Sequence, residues 1–233
     1  MSDNSPDSGN SKRPVRSFVI RSGRLTESQR KAIDSYWDNY VLPFEPALTN
    51  WQTVFSSEQP LTVEIGFGMG DSLLEMARDQ QANNFLGIEV HRAGVGKLIN
   101  GIQRNSLSNI KLMCHDAVEV LQQCFEPESI DRILVFFPDP WHKKRHNKRR
   151  LIQPPFVSLL TSRLRQGGQI HLATDWQPYA EHMVEVLENE DSLENANGKN
   201  NYWDNPARPN TKFEQRGKRL GHGVWDLLYT KIV

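Results

Sequence analysis

Leu61-Thr62-Val63-Glu64-Ile65-Gly66-Phe67-Gly68-Met69-Gly70-Asp71-Ser72-Leu73-Leu74-Glu75-Met76-Ala77 is an apolar run, a glycine-rich turn and an amphipathic segment. That order reads as strand, tight turn and helix, the unit from which an alternating fold is built. The unit then recurs. Asn84 to Val90 is a second strand with a helix over 92–105, and Ile110 to Cys114 a third with a helix from Ala117 to Phe125. Ile130 to Phe137 is a fourth strand. A helix opening at Pro154-Pro155 and closing at Gly167-Gly168 follows the preference for proline early and glycine late. Gln169 to Ala173 is a fifth strand, Pro178 to Leu193 its helix, Asn195 to Pro209 a polar loop, and Val224 to Val233 has strand character. Upstream, Thr26-Glu27-Ser28-Gln29 has capping-box spacing and opens a helix to about Tyr40, stopped by Pro43. Such alternation predicts an α/β fold: a doubly wound, mostly parallel sheet with helices on both faces.

A chain of 233 residues suits one large α/β domain. No apolar run approaches the roughly 18 residues a membrane span needs. Met1 to Asn10 is polar and acidic without an apolar signal core, so 1–16 reads as a disordered tail and 17–233 as a single domain with an N-terminal helical extension. Cys114 and Cys124 lack metal or redox spacing and fit reduced thiols in the cytoplasm. Net charge is zero, with 28 Lys and Arg against 28 Asp and Glu, which argues against a uniformly basic nucleic-acid coat. The signs are nevertheless segregated. Lys12 to Arg24 and Arg208 to Arg219 are rich in cations and Glu181 to Glu194 in acids, as in a protein that grips a polyanion along one face.

Sheets of this type bind ligands beyond the carboxyl ends of their strands. Glu64, Glu89, Asp116, Asp139 and Asp175 each fall at or just past such an end. Any one of them suits a helix cap or a solvated loop; five at one rim point to a shared site. The turn carries Gly66, Gly68 and Gly70, and Asp71 stands where a dinucleotide fingerprint wants its third glycine. Carboxylates there repel a pyrophosphate but favour S-adenosylmethionine, whose ammonium and sulfonium are cationic. NAD is the disfavoured alternative. Glu89 is placed to accept both ribose hydroxyls, and Asp116 to accept from the adenine amino group.

The fourth strand runs into Phe136-Phe137-Pro138-Asp139-Pro140-Trp141, a proline-flanked carboxylate beside an indole. Positions 143 to 150 then carry six fixed cations: Lys143, Lys144, Arg145, Lys148, Arg149 and Arg150. A cationic strip directly behind a strand-end carboxylate predicts an enzyme acting on a base within a nucleic acid. Trp141 either stacks on a splayed base, worth about 1–3 kcal/mol, or pins the loop as a buried indole. His142 and His146 lack a partner cluster with metal spacing, so no metal is expected.

Together these motifs resemble the bacterial tRNA (guanine-N7)-methyltransferases, a branch of the class I S-adenosylmethionine-dependent enzymes. The resemblance covers about 17–233 and rests on Val63 to Gly70, Gly87 to His91, Phe137 to Arg150, Ala173-Thr174-Asp175 and Thr211 to Gly217. The first motif is common to many methyltransferases; the last three together are specific. The resemblance implies a Rossmann-like methyltransferase sheet, S-adenosylmethionine as cofactor and tRNA as partner. By it, Glu64, Glu89, Asp116 and Asp139 match cofactor-contacting positions, and Asp139 also the catalytic one. Lys143, Asp175, Thr211, Lys212, Phe213 and Glu214 match substrate-contacting positions. Arg145, His146, Asn147, Lys148, Arg149 and Arg150 match the RNA-contacting stretch, and the target implied is the variable-loop guanine.

Guanine N7 is an unprotonated lone pair, so attack on a sulfonium methyl needs no general base. The protein's task is alignment and tolerance of a cationic purine. Asp139 can orient the cofactor's ammonium end or accept from guanine N1–H and N2–H₂; Asp175 and Glu214 are further candidates for the guanine edge. Lys143 can reach a phosphate or guanine O6. Two other readings remain at this point: a methyltransferase acting on an exocyclic amine, though Asp139-Pro140-Trp141 lacks the second proline of that motif, and a non-catalytic RNA-binding subunit. The chain shows no apolar stripe that demands a partner, so a monomer is expected, with a homodimer the alternative.

Overall fold

The computed structural model describes residues 24–204, 206–209, 214 and 223–233. In chain order its elements are α1 (Glu27–Tyr40), β1 (Val41–Leu42), α2 (Trp51–Phe55), β2 (Leu61–Ile65), α3 (Asp71–Asp79), β3 (Asn84–Ile88), α4 (Arg92–Asn105) and β4 (Ile110–Met113). Then follow α5 (Ala117–Gln123), β5 (Ile130–Phe136), a 3-10 stretch (Lys144–Arg149), α6 (Pro154–Arg163), β6 (Leu164–Thr174), α7 (Gln177–Glu188), β7 (Leu193–Asn195) and β8 (Trp225–Lys231). The expected tail at 1–16, most of the basic stretch 12–24 and Thr211 to Phe213 lie outside the described residues.

Eight strands form one sheet in the order β1-β4-β3-β2-β5-β6-β8-β7. β1 through β6 pair in parallel, whereas β8 runs antiparallel to β6 and β7 antiparallel to β8. From β2 the chain winds outward through β3 and β4 on one side, then returns to lay β5 and β6 on the other. The turn after β2 therefore opens at the topological switch point, where sheets of this kind hold ligands.

Strand alternation sorts the core into two layers. Ile133 and Val135 of β5 pack with α5, α6 and α7 residues such as Leu121, Leu160 and Met183. Leu134 and Phe136 pack on the opposite face with Leu73 and Met76 of α3 and Leu98 of α4. Helices on both faces cover the strands, which is why β2 and β3 are buried along their whole length. The capping box of α1 forms as expected: Gln29 N–H donates to Thr26 Oγ1 (3.2 Å), and Thr26 N–H to Gln29 Oε1 (2.8 Å).

Several boundaries differ from expectation, most by one to a few residues, and three of them shape the fold. The helix expected to run to Gly167-Gly168 stops at Arg163, because Leu164 already pairs with Ile130 of β5. The two glycines lie inside β6, where the pairing shifts register between Ile130 and Arg132; they mark a strand irregularity, not a helix cap. The helix expected to reach Leu193 ends at Glu188, and Leu193–Asn195 pairs with β8. The third is the strand expected to reach Val90, which ends at Ile88 so that Glu89 is free to turn back on the glycine loop. No helix among the described residues is long and apolar enough to cross a membrane.

Candidate cofactor and nucleic-acid site

β2 delivers the glycine loop to the switch point, with Gly66 N–H donating to Ile88 O (2.8 Å) and Gly70 N–H closing the turn on Phe67 O (2.9 Å). Gly68 sits at φ +57 and donates its N–H to Glu89 Oε2 (2.9 Å). That backbone fold brings the Gly68 carbonyl against the first turn of α4. A Cβ on Gly94 would stand 1.8 Å from the Gly68 oxygen. The sequence marks Gly94 only as a glycine inside a helix, unfavourable by about 1 kcal/mol unless a close approach requires it, and its part in the site emerges from the fold.

A cavity of about 420 Å³ opens at the ends of β2 to β5, within the size range of cofactor sites. Glu64, Gly66, Gly68, Gly70, Glu89, Asp116 and Asp139 all line it, as do Phe136 and Phe137. Glu89 is fixed by three backbone donors, Gly68 N–H, Val90 N–H (2.7 Å) and His91 N–H (3.0 Å). Asp116 is the N-cap of α5, accepting from Val118 N–H (2.9 Å). His115, beside it, stacks on Phe44 with ring centroids 3.8 Å apart and also lines the cavity; a lone histidine gives no sequence signal for this place.

Glu64 is the exception among these acids. It is 3% exposed, and among the described residues its Oε2 has no hydrogen-bond partner. Burial first, and the Glu89 charge second, push its pKa up to about 8. A buried carboxyl without a donor, facing a second acid, lacks a counter-charge. A ligand bearing an ammonium and a sulfonium would supply it, so the residues fit S-adenosylmethionine. They do not fit a dinucleotide: its pyrophosphate would meet Asp71, which lines the cavity from the first turn of α3 and pairs with Lys97.

At the other lip, β5 ends at Phe136, and Phe137 N–H donates to Ala173 O (2.8 Å). Phe137 (φ +53) and Trp141 (φ +48) both occupy the left-handed region, which bulky residues rarely adopt. Each such residue costs on the order of 1–3 kcal/mol and persists only where its surroundings over-determine it. Asp139, exposed at the cavity mouth, lies between them. Arg150 supplies part of the restraint. Its Nε donates to Pro140 O (3.0 Å), its Nη1 to Pro178 O (3.4 Å), and its guanidinium lies 4.8 Å from the Tyr179 ring centroid.

Lys143, Lys144, Arg145 and Lys148 are exposed, the last three on the 3-10 stretch. Arg149 covers the Trp141 indole at 3.8 Å, and His146 meets the same ring edge-on at 6.0 Å. The indole is half-buried with a face occupied, the arrangement of a loop pin. Arg150 is placed differently from the rest of the strip: at 6% exposure it faces inward, so its charge serves the Asp139 loop. Asn147 is half-buried with Oδ1 unpartnered, and its carbonyl accepts from Arg150 N–H (2.9 Å) and Gln153 Nε2 (3.1 Å).

The structure does not bring every expected residue to the cavity. Lys143, which is exposed, and Asp175, half-buried after β6, do not line it. Glu214 is buried and paired with Arg208 (2.6 Å). Among the described residues, no group of three or more His, Cys, Asp or Glu is placed to hold a metal ion.

Comparison with known proteins bears on the chemistry of this cavity. The family described as "Putative methyltransferase" matches residues 58–227. The chain is 51% identical over 226 residues to a "tRNA (guanine-N(7)-)-methyltransferase" of Yersinia pestis (strain Pestoides F), covering 97% of this chain and 95% of the relative. It is 50% identical over 227 residues to the protein of the same description from Escherichia coli (strain UTI89 / UPEC), with the same coverage. Among solved structures, the 16S rRNA methyltransferase KamB superposes with a TM-score of 0.59 at 13% identity, over 83% of this chain and 99% of that one. The aminoglycoside resistance methyltransferase NpmB1 superposes at 0.54 with 16% identity, over 78% and 92%. These two structural likenesses establish the fold alone.

Proposed function

The chain belongs to the tRNA (guanine-N7)-methyltransferase family, and from that premise we propose that the cavity beyond β2 to β5 is where it methylates guanine N7 in tRNA. The observation that carries this reading is the meeting of Glu64, Glu89, Asp116 and Asp139 at one cavity on the switch point, with Glu64 Oε2 buried and unpartnered.

Bound S-adenosylmethionine supplies an electrophilic methyl group on a sulfonium. Glu89, locked by its three donors, accepts from the ribose hydroxyls, and Asp116 accepts from the adenine amino group. Glu64 supplies negative charge to the cationic end of the donor in buried surroundings, where such charge acts strongly. Asp139, held at the mouth by the strained loop, orients the reacting groups and favours the cationic purine formed. No proton has to leave N7, which already carries its lone pair, and that nucleophile calls for no metal.

Lys143 reaches a phosphate or guanine O6, while Asp175 and the Thr211, Lys212, Phe213 and Glu214 segment meet the guanine edge. Arg145, His146, Asn147, Lys148 and Arg149 lie against the RNA backbone, with Arg150 bracing the loop beneath them. The variable-loop guanine is the target, reached by a monomer whose single domain spans 17–233 and which works in the cytoplasm. Incubation of unmodified tRNA with labelled donor, followed by nucleoside chromatography and mass mapping, tests the whole reading. N7-methylguanosine at one loop position is expected. A methylated exocyclic amine, or no calorimetric heat on adding the donor, overturns it.

A further inference from the structure

Arg208 is the hub of a buried ion-pair network behind the site. Its side chain is 2% exposed. Nε and Nη2 donate to the two oxygens of Asp226 on β8 (2.6 and 2.7 Å), and Nη1 donates to Glu214 Oε2 (2.6 Å) and Pro209 O (3.3 Å). The guanidinium lies 5.5 and 5.4 Å from the ring centroids of Phe136 and Phe137, within cation–π range. Behind Asp226 the network continues into the sheet. His171 Nε2 is 2.8 Å from Asp226 Oδ1, and Arg132 Nη2 is 3.3 Å from His171 Nδ1.

The chemistry of these groups fixes their protonation. A guanidinium only donates and a carboxylate only accepts, so His171 is neutral with its proton on Nε2. Burial pulls the His171 pKa down, as that assignment requires. Burial alone would raise the Asp226 pKa, but the Arg208 fork and the His171 hydrogen bond outweigh it and hold the carboxylate ionised.

A tether between 206–209 and the sheet would need only the Arg208–Asp226 pair. The other contacts go further. The third arm of the fork reaches Glu214, a residue read above as a guanine contact. The rings under the guanidinium line the cofactor cavity, and Phe137 stands two positions before Asp139. A planar fork clamped on two carboxylates leaves little freedom to any of these partners.

We propose that Arg208 is a positioning residue for methyl transfer: it holds the Glu214 carboxylate in register with the strand end that carries Asp139, so that guanine and methyl group meet. The proposal rests on the reading of Glu214 as a guanine contact.

Arg208→Lys keeps the charge and removes the fork. Single-turnover transfer at saturating tRNA and cofactor, the KM for tRNA, the cofactor Kd and the melting temperature are measured for Arg208→Lys, Glu214→Gln and the double variant. Arg208→Lys should slow transfer about 10- to 100-fold, the scale of a misplacement near 1 Å. The KM for tRNA and cofactor Kd should stay within about threefold, and the double variant should be no slower than Glu214→Gln. A full-rate Arg208→Lys beside a slow Glu214→Gln overturns the proposal, as do losses that multiply in the double variant. A full-rate Glu214→Gln removes the guanine contact itself, and the proposal with it. If Arg208→Lys does not fold, Asp226→Asn, isosteric and short of one charge, must show the same selective loss of rate; a normal rate there overturns the proposal.

Discussion

Glu64 and Glu89 leave neighbouring parallel strands for one cavity, yet three backbone N–H groups hold the Glu89 carboxylate while Glu64 Oε2 meets none. At neutral pH the Glu64 carboxyl therefore keeps its proton until a positive ligand arrives. Cofactor binding near pH 7 should release up to about one proton per site. Titration calorimetry in buffers of different ionisation enthalpy measures this, and the Glu64→Gln variant should show no buffer dependence.

The same carboxyl sets a stability trend with a definite sign. Its folded pKa, about 8, lies above the ordinary 4.5, so the folded chain holds a proton that the unfolded chain has lost. Stability of the cofactor-free protein should fall as pH rises from about 4.5 to about 8, by a few kcal/mol in all. Glu64→Gln removes that loss. Its melting temperature should exceed that of the parent by roughly 5–10 °C at pH 9 and hardly at all at pH 5.

Asp139 is exposed, so replacing it disturbs little packing. Asp139→Asn should lower single-turnover methyl transfer on the order of 10²-fold or more, with cofactor affinity changed far less and the melting temperature unmoved. Normal transfer in this variant would refute the assigned role.

The cationic strip divides by exposure, with Arg145 and Lys148 in solvent and Arg150 turned inward. Replacing Arg145, Lys148 and Arg149 together by Ala should flatten the salt dependence of tRNA binding by up to about 0.7–0.9 in log–log slope for each cation that neutralises a phosphate. Arg150→Ala should leave that slope unchanged and destabilise the fold by about 1–3 kcal/mol, since it strands the Pro140 carbonyl. Filter binding across a salt series and thermal melts separate the two.

Gly94→Ala adds a methyl group where the Gly68 oxygen already stands. The glycine loop must move, and the Gly68 N–H with it, away from Glu89. Cofactor affinity, read by titration calorimetry, should fall at least about tenfold. Gly101→Ala, on the same helix but against the flexible Leu74 side chain, is the control and should bind normally.

β2, β3, β5 and α4 are legible in the sequence, because a strand covered on both faces reads as a short apolar run bounded by turn residues and an amphipathic helix repeats every 3.6 residues. The acids at strand ends are legible for a related reason: each stands where an apolar run gives way to turn residues. Gly167-Gly168 misled, since glycine suits a helix end and a strand irregularity alike. β1 and α2 are too short to leave a pattern. Arg150 looked like its neighbours because composition does not tell which way a side chain turns. Arg208 was submerged in a cation-rich stretch, and its partners Asp226 and Glu214 become neighbours only once β8 has joined the sheet.

Lys144, where the 3-10 stretch begins, stands five positions after Asp139, a span of at most about 18 Å even if fully extended. The strained loop thus works as a ruler. On the reading proposed above, a base at the Asp139 carboxylate and the phosphates met by the first cations belong to one short stretch of RNA, so the strip grips the strand beside the target base and leaves distant parts of the molecule untouched.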